Sequence, residues 1–179
     1  MFELKPIVIA DKTSAYGHLE EQLGALLADE RDFIANAANT VGLLYCTLPG
    51  LNWAGFYRLV GDVLVLGPFQ GKPACTRIPL GQGVCGTAAA RRAAVLVPDC
   101  HAFPGHITCD SASNSELVVP LLKDGLLLGV LDLDSPVRNR FDAADQAGLE
   151  RLAALFVART DCGRATGLQY SSSTGQEHA

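Results

Sequence analysis

Residues 115–134 read SELVVPLLKDGLLLGVLDLD. Two apolar runs, 115–122 and 126–134, flank Lys123-Asp124-Gly125, and an Asp-Gly pair between such runs signals a β-hairpin. The same texture recurs upstream. Trp53 to Val60 reads as a strand, Gly61-Asp62 as a tight turn, and Val63 to Phe69 as the returning strand. A polar loop at 70–73 leads to a short strand ending near Ile78-Pro79, and Val95 to Val97 supplies another. Helical spacing brackets these strands. Tyr16, Leu19, Leu23, Leu26 and Leu27 recur behind a candidate cap, Ser14. Phe33, Ile34, Ala37, Ala38, Val41 and Leu44 form a second face, with Asp29 as candidate cap and Cys46 on the core side. The run GQGVCGTAAA at 81–90 reads as a glycine-rich turn opening a short helix. Asp142 caps a last helix carrying Leu149, Leu152, Leu155 and Phe156. Strands joined by hairpins favour antiparallel pairing. The expected class is therefore α+β: a central antiparallel sheet of about six strands with helices packed on its faces.

The chain has 179 residues, enough for one domain with a substantial core. Residues 1–162 are expected to form it, followed by a tail at 163–179, rich in Ser, Thr, Gly and Gln, that reads as disordered. Hydrophobic residues make up 49% and charged ones 18%, which excludes a disordered or coiled-coil chain. A formal charge of −5 disfavours nucleic acid as a partner. No stretch approaches the roughly 20 apolar residues that span a bilayer. The first residues, MFELKPIVIADK, lack a secretory pattern, so a soluble cytoplasmic protein is expected.

Asp132 and Asp134 alternate with Leu131 and Leu133, so both carboxylates face one way and both leucines the other. Counting outward from the Lys-Asp-Gly turn places Glu116 roughly across from residue 133. Three carboxylates can thus converge, a patch suited to an ammonium group, a metal or general-acid work. A solvated strand end accounts for the same pattern. Trp53 and Tyr57 share a face of their strand, with Gly55 leaving space between them for a small apolar slot. Core packing of the two aromatics is the simpler alternative.

Six cysteines stand at 46, 75, 85, 100, 109 and 162. No CxxC pair occurs and the four histidines lack zinc-ligand spacing, so no metal is expected. Four of the six fall within 75–109, which favours thiol chemistry. Cys85 lies near a helix start, where backbone N–H groups can lower a thiol's pKa. Cys109 lies in a long loop with His101 and His106 close in sequence, a fair setting for a thiolate nucleophile.

Five blocks in order, NWAGFY (52–57), GPFQGKPAC (67–75), GVCGTAA (83–89), HAFPGHITCDSASNSE (101–116) and GVLDLDSP (129–136), resemble the free methionine-(R)-sulfoxide reductases, single-domain enzymes of the GAF fold. The resemblance spans roughly residues 14–160. NRFD at 139–142 also resembles a motif of nucleotide-binding GAF domains. The resemblance implies that Cys109 attacks the sulfoxide sulfur and becomes a sulfenic acid. It implies Cys75 and Cys85 as partner thiols, with Cys75 favoured to close the disulfide that thioredoxin then reduces. It implies Glu116, Asp132 and Asp134 as substrate carboxylates, Glu116 also as acid, and Trp53 and Tyr57 as pocket walls. No bound cofactor is implied, the reductant being external, and a homodimer is expected. Cys100 stands where an aliphatic residue is expected in relatives: an inert exchange or an extra competing thiol. A free-standing redox sensor using the same thiols is the alternative reading, since fold does not decide function.

Overall fold

The computed structural model describes residues 11–107 and 110–162. Cys109 and the expected tail at 163–179 lie outside the described residues. Six strands form one sheet: β1 (Trp53–Val60), β2 (Val63–Gly71), β3 (Arg77–Pro79), β4 (Val95–Val97), β5 (Ser115–Lys123) and β6 (Leu126–Ser135), in the order β3-β2-β1-β6-β5-β4. Every neighbouring pair is antiparallel, as the hairpin reading requires. Among the described residues four α-helices accompany it, α1 (Lys12–Leu26), α2 (Phe33–Thr47), α3 (Gly83–Arg91) and α4 (Ala143–Arg159), with a 3-10 turn at Cys100–Ala102.

Alternation along the strands gives the sheet two unlike faces. Ala54, Phe56, Leu117, Val119, Leu131 and Leu133 point into a core closed by α1, α2 and α4. Phe33, Phe56 and Phe156 meet there ring to ring, tying α2, β1 and α4 together. Trp53, Tyr57, Val118 and Val130 point the other way, under α3 and the segments around it. The second face carries the site.

Helix ends depart from the sequence expectations in detail. Asp11, not Ser14, caps α1, its carboxylate accepting from the N–H groups of Thr13 and Ser14. Asp32, not Asp29, caps α2 by accepting from the Ala35 N–H at 2.9 Å. Both chosen residues sit one position before the first helical residue, which is where a side-chain oxygen reaches the free donors. Ile34 is 53% exposed and Cys46 is exposed too, so neither belongs to the core face. The polar loop expected from residue 70 starts later, because β2 runs on to Gly71.

Asp142 caps α4 as expected, in a reciprocal box with Asp145. Asp145 is buried and accepts from the Tyr16 hydroxyl (3.1 Å), Arg140 Nη1 (3.2 Å) and Lys12 Nζ. The NRFD segment thereby fastens α4 to α1, a structural duty remote from the cavity.

Candidate active site

Three strands converge on the second face. The register sets Trp53 of β1 opposite Asp134 of β6, and Glu116 of β5 opposite the same Asp134. Glu116, Asp132 and Asp134 therefore share one face, as expected, but not by the expected register. Simple counting pairs Glu116 with Leu133, which would turn it into the leucine core, because a one-residue slip exchanges faces. The pairing runs Lys123 with Leu126 and Leu122 with Leu127, then resumes at Leu121 with Gly129. Leu128 is the extra residue of a β-bulge, and it brings Glu116 into phase with the two aspartates. Gly129 makes the bulge possible. Its φ is +155°, and a Cβ there would lie 2.1 Å from the Tyr57 carbonyl oxygen.

The three carboxylates, Trp53, Tyr57, Cys85 and His106 line one partly open cavity of about 30 Å³. Glu116 and Asp132 are buried, and one oxygen of Asp132, Oδ1, has no hydrogen-bond partner. All three groups hold their protons well above the usual carboxylate range. Burial is the main cause for each. Asp134 adds repulsion at Glu116, Glu116 at Asp132, and Asp132 at Asp134. A hydrogen bond from Ser113 partly offsets the shift at Asp134, and one from Cys85 does so at Asp132. Like charges brought together in a buried pocket favour sharing protons or binding a cation.

Cys85 occupies the first turn of α3, as expected, but the expected low thiol pKa is overturned. Burial pushes the thiol far up, and Asp132 and Glu116 push it further. Its Sγ lies 3.2 Å from Asp132 Oδ2 and donates to it. Neighbours across the fold outweigh the helix terminus. The glycines around it serve close packing: a Cβ on Gly86 would stand 2.4 Å from the Pro79 carbonyl oxygen. Cys100 is also buried, and burial followed by Glu116 pushes its thiol up to about 12. It is no thiolate competitor at neutral pH. Cys75 is disulfide-bonded, whereas Cys46, Cys85, Cys100 and Cys162 are free.

Trp53 and Tyr57 do more than wall a slot. The indole fills the space beside Gly55 that the sequence left open: a Cβ there would lie 2.2 Å from the ring. It stacks between Tyr57 (5.9 Å) and Phe69 (5.5 Å). Trp53 Nε1 donates to the Lys72 carbonyl at 3.1 Å, and the Tyr57 hydroxyl to the Cys75 carbonyl at 3.0 Å. Both aromatics thus pin the segment that carries Cys75.

Sequence reasoning missed a polar rim. Lys72 pairs with Asp110 at 3.2 Å, and Asp110, held below the usual range chiefly by the Ala112 N–H, also lines the cavity. Asn52 donates to Ser113 Oγ at 3.0 Å. These residues lie inside the quoted motif blocks, yet nothing in their spacing shows that they meet. Of the two loop histidines, His106 reaches Glu116 Oε2 at 3.3 Å, with burial lowering its pKa. His101 turns to Asn114 instead.

Residues 31–159 match the GAF domain family. The chain is 54% identical over 154 residues to the free methionine-R-sulfoxide reductase of Escherichia coli (strain K12), covering 84% of this chain and 93% of that protein. It is 46% identical over 128 residues to the free methionine-R-sulfoxide reductase of Saccharomyces cerevisiae, covering 69% and 71%. Among solved structures it resembles the free methionine-R-sulfoxide reductase of Neisseria meningitidis in complex with its substrate. That match has a TM-score of 0.86 and 44% identity, covering 92% of this chain and 98% of that one. Among the described residues no helix is long and apolar enough to cross a membrane. On sequence and on fold alike, the chain belongs to the free methionine-R-sulfoxide reductases, oxidoreductases built on the GAF domain.

Proposed function

We propose that this enzyme reduces free L-methionine (R)-S-oxide to L-methionine with Cys109 as nucleophile, Cys75 as resolving thiol and thioredoxin as external reductant. The observation that carries the proposal is the cluster of three proton-retaining carboxylates sharing a cavity with two aromatics, beside a disulfide-bonded Cys75. Sulfoxide sulfur resists a thiolate until its oxygen takes a proton. A carboxyl kept neutral by burial and like-charged neighbours supplies that proton at neutral pH. Glu116, buried and beside His106, is assigned that role. Asp132 and Asp134, once ionised by an incoming cation, hold the substrate ammonium. Trp53 and Tyr57 receive its apolar side.

The electrons balance in three steps. The Cys109 thiolate bonds to sulfur, oxygen passes to Cys109 as a sulfenic acid, and the sulfide leaves as methionine. The Cys75 thiol then displaces water from the sulfenic acid, forming the disulfide. A thioredoxin dithiol reduces that disulfide and is itself oxidised, so no bound cofactor is required. The disulfide state of Cys75 supports its part in this cycle. Cys85, a buried thiol donating to Asp132, is assigned to orienting that carboxylate rather than to sulfur exchange.

The test is NADPH consumption coupled through thioredoxin reductase and thioredoxin, with both sulfoxide epimers offered free and peptide-bound. The free R epimer alone is expected to turn over. Equal use of peptide-bound sulfoxide would contradict a site that grips the free ammonium.

A further inference from the structure

Cys100 has no part in the cycle above, yet its thiol stands beside His106 and Glu116, two residues that line the cavity. Its Sγ, a ring nitrogen of His106 and a carboxylate oxygen of Glu116 all lie within 4.8 Å of one another. The trio falls within residues 100–116, at intervals of six and ten that match no familiar zinc-ligand spacing. Each member is held. The Cys100 N–H donates to the Asn114 carbonyl at 2.9 Å, the His106 N–H to the Phe103 carbonyl at 3.2 Å, and Glu116 pairs with Val97 across β4 and β5.

We propose that Cys100 Sγ, His106 Nε2 and the Glu116 carboxylate form a zinc site whose occupation blocks the cavity. Three observations support it. The donor set is S, N and O, which suits Zn2+ and excludes the hard cations that want oxygen alone. One pair of ligand atoms already stands at the separation a tetrahedral ion needs. With bonds of about 2.0–2.1 Å to nitrogen and oxygen, two ligand atoms stand about 3.3 Å apart, and His106 Nε2 and Glu116 Oε2 are 3.3 Å apart in the fold. The surroundings call for positive charge: Asp132, 5% exposed, carries the unpartnered Oδ1 and shares a second cluster with Cys85 and the same Glu116. Binding releases the Cys100 and Glu116 protons to solvent, and nothing is oxidised or reduced. It takes Glu116 away from the substrate and sets a divalent cation at the cavity wall, so zinc acts as a competitive brake. That inhibition rests on the reductase reading, whereas the binding does not.

The experiment uses the full chain in its disulfide-bonded form, so that Cys75 cannot contribute a thiolate. Titration with Co2+ is expected to give one ion per chain, with the near-ultraviolet thiolate-to-cobalt band and strong visible absorption of a tetrahedral site, both displaced by Zn2+. Cys100→Ala should lose the band. It should also weaken Zn2+ binding, read by chelator competition, by at least about tenfold, the scale on which even a supporting group around a metal ligand acts. Cys100→Ser, closer in size, repeats the test if the alanine variant melts early, and Cys46→Ser should keep the band. No band in the native chain, a band that survives both Cys100 variants, or one lost in Cys85→Ala instead would overturn the site. In the coupled assay, micromolar Zn2+ should raise the apparent KM of the native enzyme. Cys100→Ala, with native turnover in the absence of metal, should resist it. A chain without reductase activity would sink the function and leave the cobalt spectrum to decide the site. An active chain without the spectrum sinks the zinc site alone.

Discussion

The two faces of one sheet are built from the same three strands and do opposite things. Leu117, Leu131 and Leu133 enter a core of leucines and phenylalanines under α1, α2 and α4. Their neighbours Glu116, Asp132 and Asp134 enter a cavity where each raises the others' proton affinity. Burying a leucine side chain contributes about 1.5–3 kcal/mol, whereas burying an ionised carboxylate without a full set of partners costs several kcal/mol. The fold therefore tolerates its reactive face because the other face holds it together, with period-two alternation keeping the two apart.

Substitutions can break this comparison, and the largest effect belongs to the reactive side. Cys109→Ser should abolish turnover of the free R-sulfoxide in the coupled assay, while the melting temperature of the reduced chain hardly moves; appreciable residual activity would remove Cys109 from its role. Glu116→Gln comes next, lowering kcat by about 10²–10⁴-fold, the range for a lost general acid. Its stability should move the other way. Unfolded carboxyls titrate near 4, while these three titrate higher in the fold. Between those values the folded chain holds more protons, so native stability falls as pH climbs from about 4 through the raised pKa values. Removing one charge should flatten that fall, and Glu116→Gln should melt above the native enzyme at pH 8. A variant that melts lower there would contradict the repulsion.

Leu131→Ala tests the opposite face. It should cost about 2–5 kcal/mol in denaturant unfolding, with KM unchanged for the molecules that remain folded. A selective change in KM would mean the faces are not separate. The smallest effect is expected of Tyr57→Phe, which removes the hydrogen bond to the Cys75 carbonyl and should cost about 0.5–1.5 kcal/mol. Hydrogen exchange at residues 72–75 in the disulfide form should quicken, which sharpens the claim that the aromatic ring anchors that segment.

The strands, the hairpins and the two-faced alternation were legible because they follow from local pattern, whereas the sheet order that sets β1 beside β6 was not. LeuAspLeuAsp at 131–134 states its own geometry. The bulge was not legible, since nothing in Leu126-Leu127-Leu128 says which residue loops out; that choice is made by the Tyr57 backbone pressing on Gly129 from the next strand. Helix starts slipped for a related reason: Asp29 and Asp32 are both competent caps, and packing of Phe33 on Phe156 selects the second. The acidity of Cys85 was misjudged because the sequence shows its helix but not the carboxylates brought to it across the sheet. The bond from Trp53 to Lys72 and the pair of Lys72 with Asp110 likewise exist only once the chain has folded.

The extra residue at Leu128 gives the hairpin a parity. Adding one amino acid between Leu126 and Gly129, with the single bulge kept, would leave two well-paired strands and an intact turn, yet set Glu116 opposite Leu133 in the oily layer. Lengthening this ribbon is therefore safe only in steps of two, whereas losing one residue there removes the bulge and keeps Glu116 opposite Asp134.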